Sequence, residues 1–317
     1  MLFREAKRRA RQRHFRMLGI ALVVLVAVGT AVLKSMSFTS SSPTVKSEVP
    51  SLPTSRHVVN IVANATGYGD VVADSAGNVY VADTTTGVVT EITRYGKAIP
   101  FISASQLHGA GPWAMCVDGA NDLFIAGYNN GKIYKVTPAK VISVYLTSSR
   151  EIYAMAIDRA GNLFVSGNNG TISEIRPTLA TSVFAAHVGG NGLAFDAKGN
   201  LYSSSDNGNI YKITPSGVVS TFVTGLAEPN ELAYDDVSGV LYAAQYDGSP
   251  HPAVVAVSPT GVVTSAVPSN AFYKVSGWLN DSIGGIALDR AGNLYINSWS
   301  SKLVFKVTRV AARATKI

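Results

Sequence analysis

From residue 57 onward, apolar residues come in short runs separated by turns rich in Gly, Asn, Asp and Pro. The stretch Gly190 to Gly225 shows one unit. An apolar run ends at Asp196, and the turn Ala197-Lys198-Gly199-Asn200 leads into Leu201-Tyr202-Ser203. A second turn, Asp206-Asn207-Gly208-Asn209, precedes Ile210 to Thr214, in which Ile210 and Ile213 are positioned to pack. Pro215-Ser216-Gly217 turns again, and Val218 to Val223 closes the unit. Four short β-rich segments between turn residues predict an antiparallel four-stranded meander.

The unit repeats. Its anchor is an apolar pair, an Asp, a turn, and a strand with an aromatic residue. The anchoring residues are Asp74, Asp118, Asp158, Asp196, Asp235 and Asp289, spaced by 44, 40, 38, 39 and 54 residues. A period of about 40 residues with four strands per unit predicts an all-β fold, a β-propeller of six four-stranded antiparallel blades. The sixth copy supplies three strands, Gly285–Leu288, Leu294–Ser298 and Leu303–Thr308, before a basic tail, Arg309–Ile317. The segment His57–Ala63 precedes the first anchor and is placed to supply the missing outer strand, closing the ring and removing an open edge.

Charge changes the picture only at the N-terminus. The formal net charge is +7, but residues 1–16 alone carry seven Lys/Arg against Glu5. The remainder is close to neutral, which argues against nucleic-acid binding by the propeller. Residues 17–33 follow without a charge and at ~1.5 Å per residue span ~25 Å, the short end of a membrane helix. Basic residues before this run place the N-terminus in the cytoplasm. Two readings stay open: a signal-anchor that tethers the propeller outside the cytoplasm in a single-pass protein, or a signal peptide cleaved near Gly29 and Ala31 that releases it as a secreted or periplasmic domain. Residues 34–56, rich in Ser, Thr and Pro, read as a spacer, and 57–317 as the propeller. The single cysteine, Cys116, excludes an intrachain disulfide and lies in an apolar strand.

An Asp and a Gly-Asn turn that recur in blade after blade read as structure: the carboxylate caps the turn, and Gly or Asn accepts a positive φ. The recurring aromatics Tyr80, Phe124, Phe164, Tyr202, Tyr242 and Tyr295 read as packing between blades. Function is expected where the copies differ. Five residues before each anchor, near one mouth of the channel, stand Gly69, Trp113, Tyr153, Asn191, Asn230 and Gly284, with Asp70 and Glu231 one step further in. Asn and Asp oxygens suit a small polar ligand or a hard cation such as Ca²⁺; the plainer role for the Asn residues is to cap the loops entering the inner strands. Two insertions, Tyr246–Pro252 and Pro268–Ser282, emerge on the same face. They place Tyr246, Asp247, His251 and Trp278, with Trp299, beside Trp113 and Tyr153 as a ligand-binding rim. His251 stands between two Pro residues, a setting for a rigid turn as well as for a general base.

At the run G-x-A-x-D-x-x-G-N-L-Y the chain resembles NHL-repeat propellers, the SMP-30/gluconolactonase group and, more distantly, strictosidine-synthase-like propellers. The resemblance covers about residues 57–317 and implies the propeller fold. In the gluconolactonase group it implies a divalent cation, typically Ca²⁺, held by an acid, by Asn residues at inner-strand starts and by a late Asp. Asn191 in GNGLAFD and Asn230 in EPNELAYD match the Asn type. Gly111-Pro112-Trp113 matches part of the acid motif, with Ala110 where the acid stands; Gly284 occupies the late Asp position, with Asp281 nearby. With Asp70, taken from its position at the mouth, Asn191, Asn230 and Asp281 are the metal-ligand candidates. Two functions remain: an NHL-type module binding a small polar molecule, a protein or a glycan at the channel mouth, or a calcium-dependent lactonase-like hydrolase.

Overall fold

The computed structural model describes residues 57–64, 69–148, 151–167, 169–245, 254–268, 271, 283–298 and 301–309. These form six four-stranded antiparallel sheets. Blade one comprises β2 (Val71–Ala73), β3 (Val79–Asp83), β4 (Val88–Ile92) and β5 (Ala98–Ile102). Blade two comprises β6 (Pro112–Val117), β7 (Leu123–Gly127), β8 (Lys132–Val136) and β9 (Ile142–Thr147). Blade three comprises β10 (Ala154–Ile157), β11 (Leu163–Ser166), β12 (Ile172–Ile175) and β13 (Thr181–Ala185). Blade four comprises β14 (Leu193–Phe195), β15 (Leu201–Ser204), β16 (Ile210–Ile213) and β17 (Val219–Val223). Blade five comprises β18 (Pro229–Asp235), β19 (Val240–Gln245), β20 (Val254–Val257) and β21 (Val263–Val267). Blade six comprises β22 (Ile283–Leu288), β23 (Leu294–Ser298) and β24 (Leu303–Arg309), completed by β1 (His57–Asn64) from the other end of the domain.

The first strand of each blade lies against the first strand of the next, and β22 returns to β2, so these six line the axis. Closure follows the expected route. β1 pairs antiparallel with β24 from His57 opposite Arg309 to Asn64 opposite Leu303, with a bulge between Ile61 and Ala63. β24 runs one residue past the expected Thr308, because Arg309 still pairs with His57 of β1 beyond the last β23 partner at Val307. β22 starts two residues before the expected Gly285; Ile283 pairs with Ser298 beyond a register shift.

The recurring anchor is a turn cap, as expected. Asp196 Oδ1 accepts the N–H of Lys198 at 2.9 Å and of Asn200 at 2.8 Å, and its Oδ2 accepts the Asn200 amide at 2.7 Å. Gly199 holds φ at +81° within that turn. The bond to the N–H four residues on recurs at Asp74, Asp118, Asp158 and Asp289, while Asp235 accepts from Val237 N. The aromatic that follows is buried between blades in five of the six; Tyr242 of blade five is half-buried. Tyr80 packs with Met115 and Ile125, Phe124 with Ile152 and Met155, and Tyr295 with Val71 and Val79. Phe164 meets Phe195 edge-on at 5.0 Å, and Tyr202 stacks on Tyr234 at 5.6 Å. The core is therefore a ring of inter-blade seams.

Strands alternate in direction, so the turns between first and second and between third and fourth strands emerge at one end, here the anchor-turn face. The other connections emerge at the strand-start mouth.

Candidate functional site

Four mouth positions picked out by the sequence sit on consecutive blades. Trp113 is half-buried at the start of β6; its Nε1–H donates to the Tyr153 carbonyl of blade three at 3.1 Å. Its ring lies 5.6 Å from that of Tyr128, the residue after β7. The Tyr153 hydroxyl donates to Glu151 Oε2 at 3.2 Å. Burial first, and then the Glu151 carboxylate, push the Tyr153 phenol well above its usual range; Tyr128 and Asp206 add to the shift. The Tyr128 phenol is raised as well, by burial and then by Glu151. On blade four, Asn191 Nδ2 donates to Asp206 Oδ1 at 2.7 Å and, at 3.4 Å, to the Pro229 carbonyl of blade five. Asn230 is half-buried at the start of β18, and its backbone carbonyl accepts from Ser204 Oγ. The result is a cluster of Trp113, Tyr128, Tyr153, Glu151, Asp206 and Asn191: three aromatic faces, two solvent-open carboxylates and an amide. From Glu151, a cavity of about 350 Å³ continues between blades two and three, past Ser166, Leu146 and Val183.

Asp70 has a different setting. Its Oδ1 accepts Val71 N at 2.7 Å, and its Oδ2 accepts Met115 N of blade two at 3.0 Å. It is buried, and burial raises its carboxyl to about 7 against the lowering effect of those two bonds. This side chain ties blade one to blade two. Similar ties follow round the axis: Ser166 Oγ to the Gly190 carbonyl at 2.5 Å, Ser204 Oγ to the Asn230 carbonyl, and Asn297 Nδ2 to the Gly69 carbonyl at 3.0 Å. Glycine is required at two of these approaches: a Cβ on Gly192 meets the Asn230 carbonyl oxygen at 2.3 Å, and one on Gly285 meets Val71 N at 2.7 Å. Tyr246, Asp247, His251, Trp278, Asp281 and Trp299 lie outside the described residues.

Tyr128, Glu151 and Asp206 were not among the sequence candidates. A signal existed for two of them. Ten residues after each anchor, eleven in blade five, stand Thr84, Tyr128, Asn168, Asp206, Tyr246 and Trp299, a position that varies among the blades. Glu151 belongs to an irregular loop and shows itself only through its hydroxyl partner.

The donors expected for a divalent cation fit in part. Asn191 and Asn230 are at inner-strand starts, Ala110 and Gly284 bring no carboxylate, and both oxygens of Asp70 accept backbone N–H groups. Among the described residues, no group of three or more His, Cys, Asp or Glu side chains is arranged to hold a metal. The opposite end of the channel opens into a cavity of about 540 Å³ rimmed by anchor residues, including Asp118, Asp158 and Asp289, with Arg159 and Arg290.

Six blades of four strands, closed by β1 on β24, define a six-bladed β-propeller. Its neighbours among solved structures are gluconolactonase-like and streptogramin-lyase-type propellers. A gluconolactonase from Xanthomonas campestris is 12% identical, covers 80% of this chain and 90% of its own, and superposes with a TM-score of 0.65. A calcium-binding regucalcin from Agrobacterium tumefaciens is 12% identical over 80% of this chain and 94% of its own, at 0.62. A streptogramin B lyase is 12% identical over 80% and 98%, at 0.61. At these identities the likeness carries the fold. No protein-family model and no curated protein matches the chain by sequence.

Proposed function

We propose that the propeller is a binding module that takes a polar ligand at the strand-start mouth. The observation that carries this reading is the continuous cluster on blades two to four. Aromatic faces beside two carboxylates and an amide suit a ligand with hydroxyl groups on a flat face or with a cationic group, held by stacking, cation–π attraction and charge-assisted hydrogen bonds. The matching positions of blades one and six are Gly69 and Gly284, so at this position the polar and aromatic side chains belong to blades two to five. The test is calorimetry on the full chain with a neutral sugar, an amino sugar and a polyamine. Saturable binding by at least one of them, weakened in Trp113→Ala and Asp206→Asn, supports the reading. Absence of binding across the panel, or binding indifferent to both substitutions, overturns it.

A second reading is a divalent-metal-dependent hydrolase of the lactonase type. It is supported by Asn191 and Asn230 at inner-strand starts and by the fold shared with a gluconolactonase and a calcium-binding regucalcin. Half of the donor positions of that family are filled, so no catalytic step is assigned to a metal here. Calcium titration of the full chain separates the readings: tight binding lost in Asn230→Ala favours the hydrolase, and no heat of binding disposes of its calcium-dependent form.

A further inference from the structure

We propose that the anchor-turn face of the propeller rests on the surface of a lipid bilayer, leaving the ligand-binding mouth pointing away from it. This inference is independent of what the mouth binds. It starts from the uneven distribution of exposed apolar side chains. In the described residues, Tyr95 is 81% exposed, Val141 and Val218 62%, Leu179 45%, Val262 43% and Val237 92%. All six lie in turns of the anchor-turn face: Tyr95 between β4 and β5, Val141 between β8 and β9, Leu179 between β12 and β13, Val218 between β16 and β17, Val262 between β20 and β21, and Val237 between β18 and β19. The other exposed large apolar residues lie on outer strands, and among the described residues none lies in a connection at the mouth. Side chains as open as Tyr95 and Val237 gain little from the fold. Spread over five blades on one face, the six are placed to enter a flat apolar boundary together.

Charge on this face is layered. The anchor carboxylates accept backbone N–H groups within the turns, and those of blades one, two, three, five and six line the cavity at the centre of the face. The turn tips carry exposed Arg94, Lys140, Arg176, Lys198 and Arg290. Asp236 is the exposed acid among the described tips, and Arg159 stands 3.9 Å from it. Basic tips at the periphery, outside the acids gathered round the central cavity, suit anionic headgroups at contact distance.

The path of the chain selects lipid over other occupants. β1 begins at His57, opposite Arg309, and both residues lie at the anchor-turn end of blade six. The chain therefore enters the propeller on this face. The uncharged run 17–33 lies 23 residues upstream, across the Ser/Thr/Pro-rich stretch 34–56. Twenty-three residues reach at most roughly 80 Å when fully extended. With 17–33 in a bilayer, the face meets the membrane at a high effective concentration, so a few weak apolar contacts suffice to hold it there.

The test uses the full chain reconstituted into vesicles of phosphatidylcholine and phosphatidylglycerol. Cys116 is buried and leaves single introduced thiols open to selective labelling. An environment-sensitive dye is attached at Val218→Cys, at Val237→Cys and, as the mouth control, at Asn207→Cys; all three positions are exposed, so the fold tolerates them. The expected result is a blue shift and quenching by nitroxide-labelled acyl chains at 218 and 237, and water-like, unquenched emission at 207. Adding Tyr95→Ser and Val141→Ser reduces the quenching at 218. Water-like emission at all three positions overturns the proposal, as does failure of the chain to float with the vesicles. A blue shift that appears without lipid and grows with protein concentration also overturns it, since the face is then covered by a second copy.

Discussion

At the anchor-turn end, Asp74, Asp118, Asp158, Asp196 and Asp289 each accept the N–H four residues on. At the strand-start end, the matching positions of the six blades read Gly69, Trp113, Tyr153, Asn191, Asn230 and Gly284. A carboxylate needed in every blade serves the blade: it satisfies backbone donors in a tight turn. A position free to differ between blades is free to serve a ligand. Within one repeat, the same strand thus presents a structural residue at one end and a chemical one at the other, and repetition tells them apart.

The sharpest way to break this comparison is to remove the caps. Asp196→Ala and Asp289→Ala each strand a set of turn donors and are each expected to cost roughly 1–3 kcal/mol of stability. In blades four and six they share no partner and should add. Urea unfolding of the single and double variants checks this, and a double variant as stable as the parent dissolves the structural side of the comparison.

Asp70 gives a second test, since its carboxyl sits near the mouth yet serves the scaffold. It titrates at about 7 when folded, against an ordinary 3.8. Between those values the folded chain holds a proton that the unfolded chain has released. Its contribution to stability is therefore fully present below about pH 4 and lost as pH rises through about 7. Melting temperature followed from pH 4 to pH 8 should carry a downward component that Asp70→Asn removes. An unchanged profile in that variant refutes the buried-tie assignment.

A smaller effect is expected at Ser204, whose Oγ accepts the Gly192 N–H at 2.9 Å and donates to the Asn230 carbonyl of the next blade. Ser204→Ala should cost about 1–2 kcal/mol through the two groups left unpaired, measured by the same unfolding curve. The smallest stability change belongs to the open carboxylates. Glu151→Gln and Asp206→Asn should stay within ~0.5 kcal/mol of the parent while weakening ligand binding about tenfold or more, the worth of one charge-assisted bond.

Much of this architecture is legible in the sequence, because each blade is stabilised by the same local devices. The anchor spacing fixes six blades, and the orphan segment at residue 57 fixes closure; the observed β1 ends one residue beyond the expected Ala63. The capping role of Asp follows from its recurrence. The mouth is less legible because its contacts run between blades. Trp113 reaches the Tyr153 carbonyl across a separation of 40 residues, and Asn191 reaches that of Pro229 across 38. Asp70 shows the limit most clearly. From its position it reads as a ligand beside the channel, yet burial and a neighbouring blade's N–H decide its setting, and neither is local to the chain.

The most direct test of the account is a matched pair of carboxylate replacements, one at each end of the channel. Calorimetry would follow the best binder from the sugar and polyamine panel on full-length Asp206→Asn and on Asp236→Asn. The account predicts affinity lowered about tenfold or more in Asp206→Asn and unchanged in Asp236→Asn. Affinity preserved in the first and lost in the second would move the functional site to the anchor-turn end and contradict it.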